Sequence, residues 1–264
     1  MDYSFDLSID DTKVALLRLN RPDTLNSLTF QVYGELVRFF EGARKDDRLK
    51  VVVLTGTGRG FCSGGDVHEI IAELFERDMK GLLEFTRMTG DLVKAIRLLD
   101  KPVIAAVNGM AAGAGSVIAL ASDLRVLARS ASFRFLFTQV GLTGADMGAG
   151  WLLPKIVGLS KATEWLMLGE KVDAETAERF GLANKVVDDE QVVDTALEWA
   201  RALAAGPSLA LSMTKRMIQN EMNMDIVAAV EAEAQAQALL LQGKDHRAFY
   251  DAFKEKRDPR FTGE

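Results

Sequence analysis

The chain of 264 residues is 48% hydrophobic and 27% charged, enough to bury roughly three quarters of its extended surface as one large domain or one domain with a small appendage. A net charge of −6 and a pI of about 5.2 exclude a broad basic face of the kind that binds nucleic acid or a membrane nonspecifically. The single cysteine excludes a disulfide framework and Cys/His metal patterns; no apolar run nears the roughly 18 residues of a membrane span, the start MDYSFDLSIDD is acidic, and a cytoplasmic protein is expected.

In chain order, VALLRL (Val14–Leu19), VVVLTG (Val51–Gly56), PVIAAVNG (residues 102–109) and DLRVLA (123–128) are short apolar runs ended by glycine, asparagine or charge, and read as buried strands. Between them apolar residues recur at helical spacing: Phe30, Val32, Leu36, Phe39 and Phe40 within 29–46, then Met88, Leu92, Val93, Ile96 and Leu99 within 85–99. This alternation predicts an α/β layer architecture. From Trp151 onward the pattern is nearly all helical, broken at Gly158, Gly169, Gly181, Gly206-Pro207 and Gly243, with one strand-like KVV at Lys185–Val187. No repeat of fixed period stands out. The stretches 207–223 and 225–241 carry broader apolar faces than a solvated tail needs, so an interface is expected there.

Two strand ends run into glycine-rich loops. VVVLTG leads into TGRGFCSGGD (57–66), where glycines let backbone N–H groups approach a ligand closely. GTGRG is no dinucleotide fingerprint: its third glycine falls one residue early and the acidic partner about 20 residues on is missing. PVIAAVNG leads into MAAGAGSVIALASD (110–123), small residues opening an apolar helix. Two such ends meet the requirement of an oxyanion hole for a carbonyl that gains negative charge, although structural turns alone account for each loop. A third loop, VGLTGADMGAG (140–150), holds four glycines and one carboxylate, Asp146, with no cation. It is unsuited to phosphate, which leaves Asp146 a turn, a helix cap or a working acid.

Taken jointly, LNRPDTLNSL (19–28), GRGFCSGGD (58–66), KPVIAAVNGMAAGAG (101–115), ASDLRVLARSASF (121–133) and the ending AFKEKRDPRF (252–261) resemble the crotonase, or enoyl-CoA hydratase/isomerase, superfamily from about Lys13 to the C-terminus. The resemblance implies an α/β crotonase-type superhelix of stacked ββα turns over residues 1–200 and a helical trimerisation region over 201–264. It implies homotrimers or dimers of trimers. The implied substrate is an acyl-CoA thioester whose carbonyl lies between the N–H groups of Gly65 and Ala114, with no metal or redox cofactor and coenzyme A present only as part of the substrate. Stabilising that oxygen as an enolate makes proton transfer at the α-carbon feasible near neutral pH. Cys62, Ser63, Gly64 and Asp66 fall in the first oxyanion loop; Arg21, Lys254, Lys256 and Arg257 are candidates for the CoA phosphates.

The sequence also departs from the pattern it resembles. The positions of the two hydratase glutamates hold Val117 and Phe137, neither of which can move a proton. Dienoyl-CoA isomerases and aroyl-CoA dehalogenases of the family have a carboxylate eight residues before the position of Pro154, and here that is Asp146. The dehalogenase histidine position is Gly90. His68 and Glu69 follow the first loop and are candidate helpers, while Cys62 and His246 read as packing and surface residues. Phe133, Phe135, Phe137 and Trp151 flank the Asp146 loop and are expected either to give an aromatic acyl pocket or to pack the core. Expected function is therefore enoyl-CoA hydration or double-bond isomerisation. The alternatives are a hydrolase or C–C lyase acting on alicyclic or aromatic acyl-CoA, and a non-catalytic acyl-CoA- or RNA-binding scaffold.

Overall fold

A computed structural model describes residues 3–263. Six strands form the larger sheet: β1 (Asp6–Ile9), β2 (Val14–Leu19), β3 (Val51–Gly56), β5 (Val103–Val107), β7 (Leu124–Ala128) and β10 (Lys185–Val187), in that order across it. Only the β1–β2 pairing is antiparallel. The inner strands β3 and β5 are buried at every residue, which is why they read as unbroken apolar runs rather than alternating ones. Four three-residue strands form a second sheet: β4 (Gly60–Cys62), β6 (Met110–Ala112), β8 (Ser132–Arg134) and β9 (Lys171–Asp173), the last of them antiparallel.

Three times the chain passes from a long strand into a short one, β3 to β4, β5 to β6 and β7 to β8. These are the ββα turns of the expected architecture. Asparagine side chains lock the crossings. Asn26, 1% exposed and at φ 59°, donates through Nδ2 to the carbonyls of Thr57 and Gly60 at 2.9 and 2.8 Å. Asn108 Oδ1 accepts from the Gly56 N–H at 3.0 Å, and its Nδ2 donates to the Gly58 carbonyl at 2.9 Å. LNRPDTLNSL is thus largely a turn clamp.

Between the strands lie α1 (Phe30–Ala43), α2 (Ala72–Leu74), α3 (Met79–Leu98) and α4 (Ala114–Ala121). Thr29 caps α1 by accepting from the Val32 N–H, and α1 packs against α3. Asp78 starts α3 six residues before the expected helix by accepting from the Gly81 N–H. Then follow α5 (Ala149–Val157), α6 (Leu159–Leu168), α7 (Ala174–Arg179) and α8 (Val192–Ala205), the last lying across β3, β5 and β7. The chain finishes in α9 (Ser208–Glu221), α10 (Ile226–Leu241) and α11 (Lys244–Glu255).

No residue of α9 is fully buried. Polar contacts dock it: Lys215 Nζ meets Asp123 Oδ2 at 2.8 Å and the Lys101 carbonyl at 3.0 Å, and Gln219 donates to the Arg97 carbonyl at 2.9 Å. Ile218, Met222, Ile226, Val227, Val230 and Leu239 are left exposed. Among the described residues no helix is long and apolar enough to cross a membrane.

Candidate active site

Because β4 and β6 pair in parallel, the loops that follow them lie side by side. Glycine sets how close they come. A Cβ on Gly115 would lie 2.1 Å from the Cys62 carbonyl oxygen; one on Gly64, at φ 97°, would lie 3.0 Å from the Ala112 carbonyl oxygen and 3.5 Å from the Ala114 nitrogen. Any side chain at Gly115 would force the loops apart. Gly65, half-buried, donates its N–H to no protein group among the described residues. Ala114 is the first residue of α4, so its N–H has no acceptor within the helix. Two unspent donors therefore stand at adjacent strand ends, the arrangement a developing oxyanion needs.

Around them the first loop is tied down. Ser63 donates its N–H to the Leu25 carbonyl at 2.9 Å and its hydroxyl to the Thr24 carbonyl at 2.8 Å. Asp66, 6% exposed, accepts from the N–H groups of His68 and Glu69 at 3.0 Å each, from the Ser27 hydroxyl at 2.8 Å and from Arg21 at 3.1 Å. Those donors, led by the Glu69 N–H, lower its carboxyl to a pKa of about 2. Its carboxylate is therefore spent on the loop itself. Arg21 is likewise held, by Asp66 and by Glu69 at 2.9 Å, so the structure commits this phosphate candidate to the fold. His68 and Glu69 are exposed. Cys62 is fully buried, and burial pushes its thiol up to about 12 against the opposing Gly64 N–H, leaving a neutral wall residue.

Val117 is completely buried in α4, and Phe137 is 7% exposed. Apolar groups thus occupy both positions that the family resemblance gives to glutamates. Asp146 differs. It is half-buried, and its backbone carbonyl accepts from the Ala149 N–H at 2.8 Å as α5 begins. Burial raises its carboxyl, with only the Met147 backbone N–H working against that, and no cation neighbour contributes. The loop leans on α3, since a Cβ on Gly148 would lie 3.6 Å from Val93 Cγ1, and α5 packs on α4.

The flanking aromatics divide. Phe133 and Phe135 stack at 6.3 Å in the core, both at 0% exposure, so they pack the interior. Trp151 is 43% exposed with Lys155 Nζ 3.4 Å from its ring centroid, which turns one ring face toward a cation. Lys254 lies on α11, 5.3 Å above the Tyr250 ring, and His246 is exposed. No group of three or more His, Cys, Asp or Glu suited to a metal occurs among the described residues.

Sequence reasoning missed Tyr33. It lies on the inner face of α1, is 2% exposed and meets Phe85 of α3 edge-on at 6.2 Å. Burial raises its hydroxyl well above the ordinary range, and the groups that act on it electrostatically are Cys62 of the first glycine loop and Asp146 of the third. The signal was the spacing Phe30, Tyr33, Leu36 on the apolar stripe: a polar-tipped ring on a core face needs a partner for its hydroxyl.

Residues 10–264 match the family model described as enoyl-CoA hydratase/isomerase. The chain is 37% identical over 259 residues to 1,2-epoxyphenylacetyl-CoA isomerase of Escherichia coli (strain K12), covering 98% of each. It is 32% identical to short-chain-enoyl-CoA hydratase of Clostridium acetobutylicum over 93% of this chain and 92% of the relative. The crystal structure of enoyl-CoA hydratase from Bacillus anthracis superposes with a TM-score of 0.93 at 29% identity, covering 99% of this chain and 100% of that one.

Proposed function

The chain belongs to the enoyl-CoA hydratase/isomerase family, and from that premise we propose that it is an isomerase of unsaturated acyl-CoA thioesters in which Asp146 carries the proton. The enzyme is of hydratase/isomerase type and acts on acyl-CoA. The N–H groups of Gly65 and Ala114 take the thioester oxygen, and electron density withdrawn onto that oxygen acidifies the adjacent carbon. Asp146 then removes a proton from one carbon of the enoyl unit and returns it to another, moving the double bond. A carboxyl raised by burial is nearer to working pH in both directions of that transfer. Addition of water would call for a second acid–base group to hold and split it, and Val117 and Phe137 offer none.

The observation that carries this reading is the contrast between those two apolar positions and the cation-free, raised carboxylate of Asp146. Electrons stay within the substrate, so the reaction as written uses no metal or redox cofactor. Cys62, Ser63, Gly64 and Asp66 contribute backbone walls around the thioester; Val117, Phe137 and Trp151 border the acyl group, and Lys254 serves the CoA phosphates. The exposed apolar faces of α9 and α10 support assembly as a homotrimer or a dimer of trimers.

The test is exchange of α-protons of an acyl-CoA in deuterated water, followed by NMR. Wild type should catalyse it, and Asp146→Asn should lower the rate by on the order of 10²-fold or more while binding stays near wild type. Undiminished exchange in Asp146→Asn would remove the residue from the mechanism.

A further inference from the structure

Resting on the acyl-CoA reading, we infer that the Tyr33 hydroxyl donates a hydrogen bond to the acyl group, so that the site is built for thioesters whose acyl chain bears an oxygen beyond the thioester carbonyl: a hydroxyl, keto or ether oxygen.

Position comes first. The N-terminus of α1 is pinned to the first oxyanion loop, because Leu28 donates its N–H to the Gly64 carbonyl at 2.8 Å and accepts from the Asp66 N–H at 2.9 Å. Tyr33 lies one turn into that helix, its N–H bonded to the Thr29 carbonyl at 3.0 Å. Helical side chains lean back toward the N-terminus, which carries the ring toward the end of α1 that is tied to the first loop. Across the pocket, α3 supplies Phe85 against the ring and Val93 against the Asp146 loop. The helix that carries Tyr33 is thus tied at its start to the first glycine loop, and the helix that packs on its ring also packs on the Asp146 loop.

Its hydroxyl is then unusual. Tyr33 is 2% exposed, yet its hydroxyl makes no hydrogen bond to any protein group among the described residues. The described side-chain atoms sealed away without a partner belong to Thr57, Arg97, Ser208 and Glu221, and Tyr33 is not among them. The Tyr33 oxygen thus keeps a trace of accessible surface in an otherwise enclosed ring. Buried tyrosine hydroxyls normally find partners, and leaving one unpaired is costly. A partner that arrives with the ligand resolves this.

Chemistry fixes the partner's type. Burial holds the phenol well above its ordinary range, so it stays protonated and acts as a donor, not a base. A neutral donor packed against the Phe85 ring selects one acceptor atom on an apolar chain. A site that hydrogen-bonds a substrate oxygen also discriminates against the analogue lacking it, because its own polar group is then left unpaired.

The experiment compares butyryl-CoA with 3-hydroxybutyryl-CoA and 4-hydroxybutyryl-CoA, measuring Kd by calorimetry in wild type and in Tyr33→Phe. Wild type should prefer at least one hydroxylated ester over butyryl-CoA, and Tyr33→Phe should reduce that preference about 5- to 10-fold, the scale of one neutral hydrogen bond. The readout is a ratio within each protein, so a general loss of stability does not mimic it. An unchanged ratio in Tyr33→Phe, or no wild-type preference for either hydroxylated ester, overturns the inference while leaving the acyl-CoA reading in place. Binding of no ester at all by wild type would overturn that reading and this inference with it.

Discussion

Asp66 and Asp146 each lie beside glycines in a loop next to the proposed site, and the fold treats them in opposite ways. Asp66 receives two backbone N–H groups, the Ser27 hydroxyl and Arg21, and its pKa falls to about 2. Asp146 is raised by burial, with only the Met147 backbone N–H working against that and no cation neighbour contributing. Satisfied carboxylates hold structure; under-satisfied ones in a polar-poor pocket retain chemical potential for a proton. Under the proposed function, the first loop is a rigid frame that presents donors and the third loop presents the group that reacts.

The sharpest way to break this contrast is at the frame. Gly115→Ala places a Cβ 2.1 Å from the Cys62 carbonyl oxygen, and a backbone atom cannot swing aside as a side-chain tip can. The two loops must separate, which pulls Ala114 and Gly65 away from a common oxygen. We expect α-proton exchange to fall by roughly 10²-fold or more, the usual scale for losing an oxyanion donor, with an overpacking loss of about 1–3 kcal/mol in chemical denaturation. Near-normal exchange in a folded Gly115→Ala protein would show that these two donors do not share one oxygen.

How much of this was readable in the sequence depends on length and on where partners come from. The strands at Val14–Leu19 and Val51–Gly56 matched because six residues, four of them buried in the first and all six in the second, leave an unmistakable run. The second sheet was invisible, since its strands are three residues long and no periodicity fits in three residues. In the site, the apolar character of Val117 and Phe137 and the isolation of Asp146 from cations were legible, because each is a matter of residue type. What happens to the Asp66 carboxylate was not: its donors Arg21 and Ser27 lie 45 and 39 residues away in the chain. Tyr33 escaped for the same reason, its significance resting on Phe85 and Asp146, which only the packing of α1 on α3 brings near.

A smaller effect is expected where Asp66 is removed. Asp66→Ala leaves the His68 and Glu69 N–H groups without their cap and Arg21 without its more buried partner. A loss of about 1–3 kcal/mol follows from the cap and the hydrogen bonds together. Asp66→Asn keeps the cap and should lose less. Because this carboxyl is depressed in the folded state, its contribution is present above the ordinary carboxylate pKa and fades as pH falls toward 2. The difference between wild type and Asp66→Ala in urea midpoint should accordingly be full at pH 7 and shrink at pH 3. Equal stability of Asp66→Ala and wild type at pH 7 would mean the carboxylate is not the frame's anchor.

The smallest effect carries the opposite sign and tests Asp146 without any substrate. Its carboxyl is raised by burial, so the folded protein keeps that proton to a higher pH than the unfolded chain does. Whatever stability the group offers is complete below the ordinary carboxylate pKa and is lost as pH rises through the raised value. At pH 8 the wild type therefore holds a partly desolvated charge that costs stability, and Asp146→Asn, which cannot ionise yet still accepts from the Met147 N–H, is relieved of it. Thermal melting should place Asp146→Asn above wild type by about 1–3 °C at pH 8, an effect well under that of Asp66→Ala and partly damped because the group is only half-buried. The gap should close toward pH 4, where the wild-type carboxyl regains its proton. A substitution that both stabilises and inactivates is what a residue kept for chemistry gives. If Asp146→Asn instead melts below wild type at every pH, the carboxylate is holding the loop as Asp66 holds its own, and the contrast between the two loops collapses.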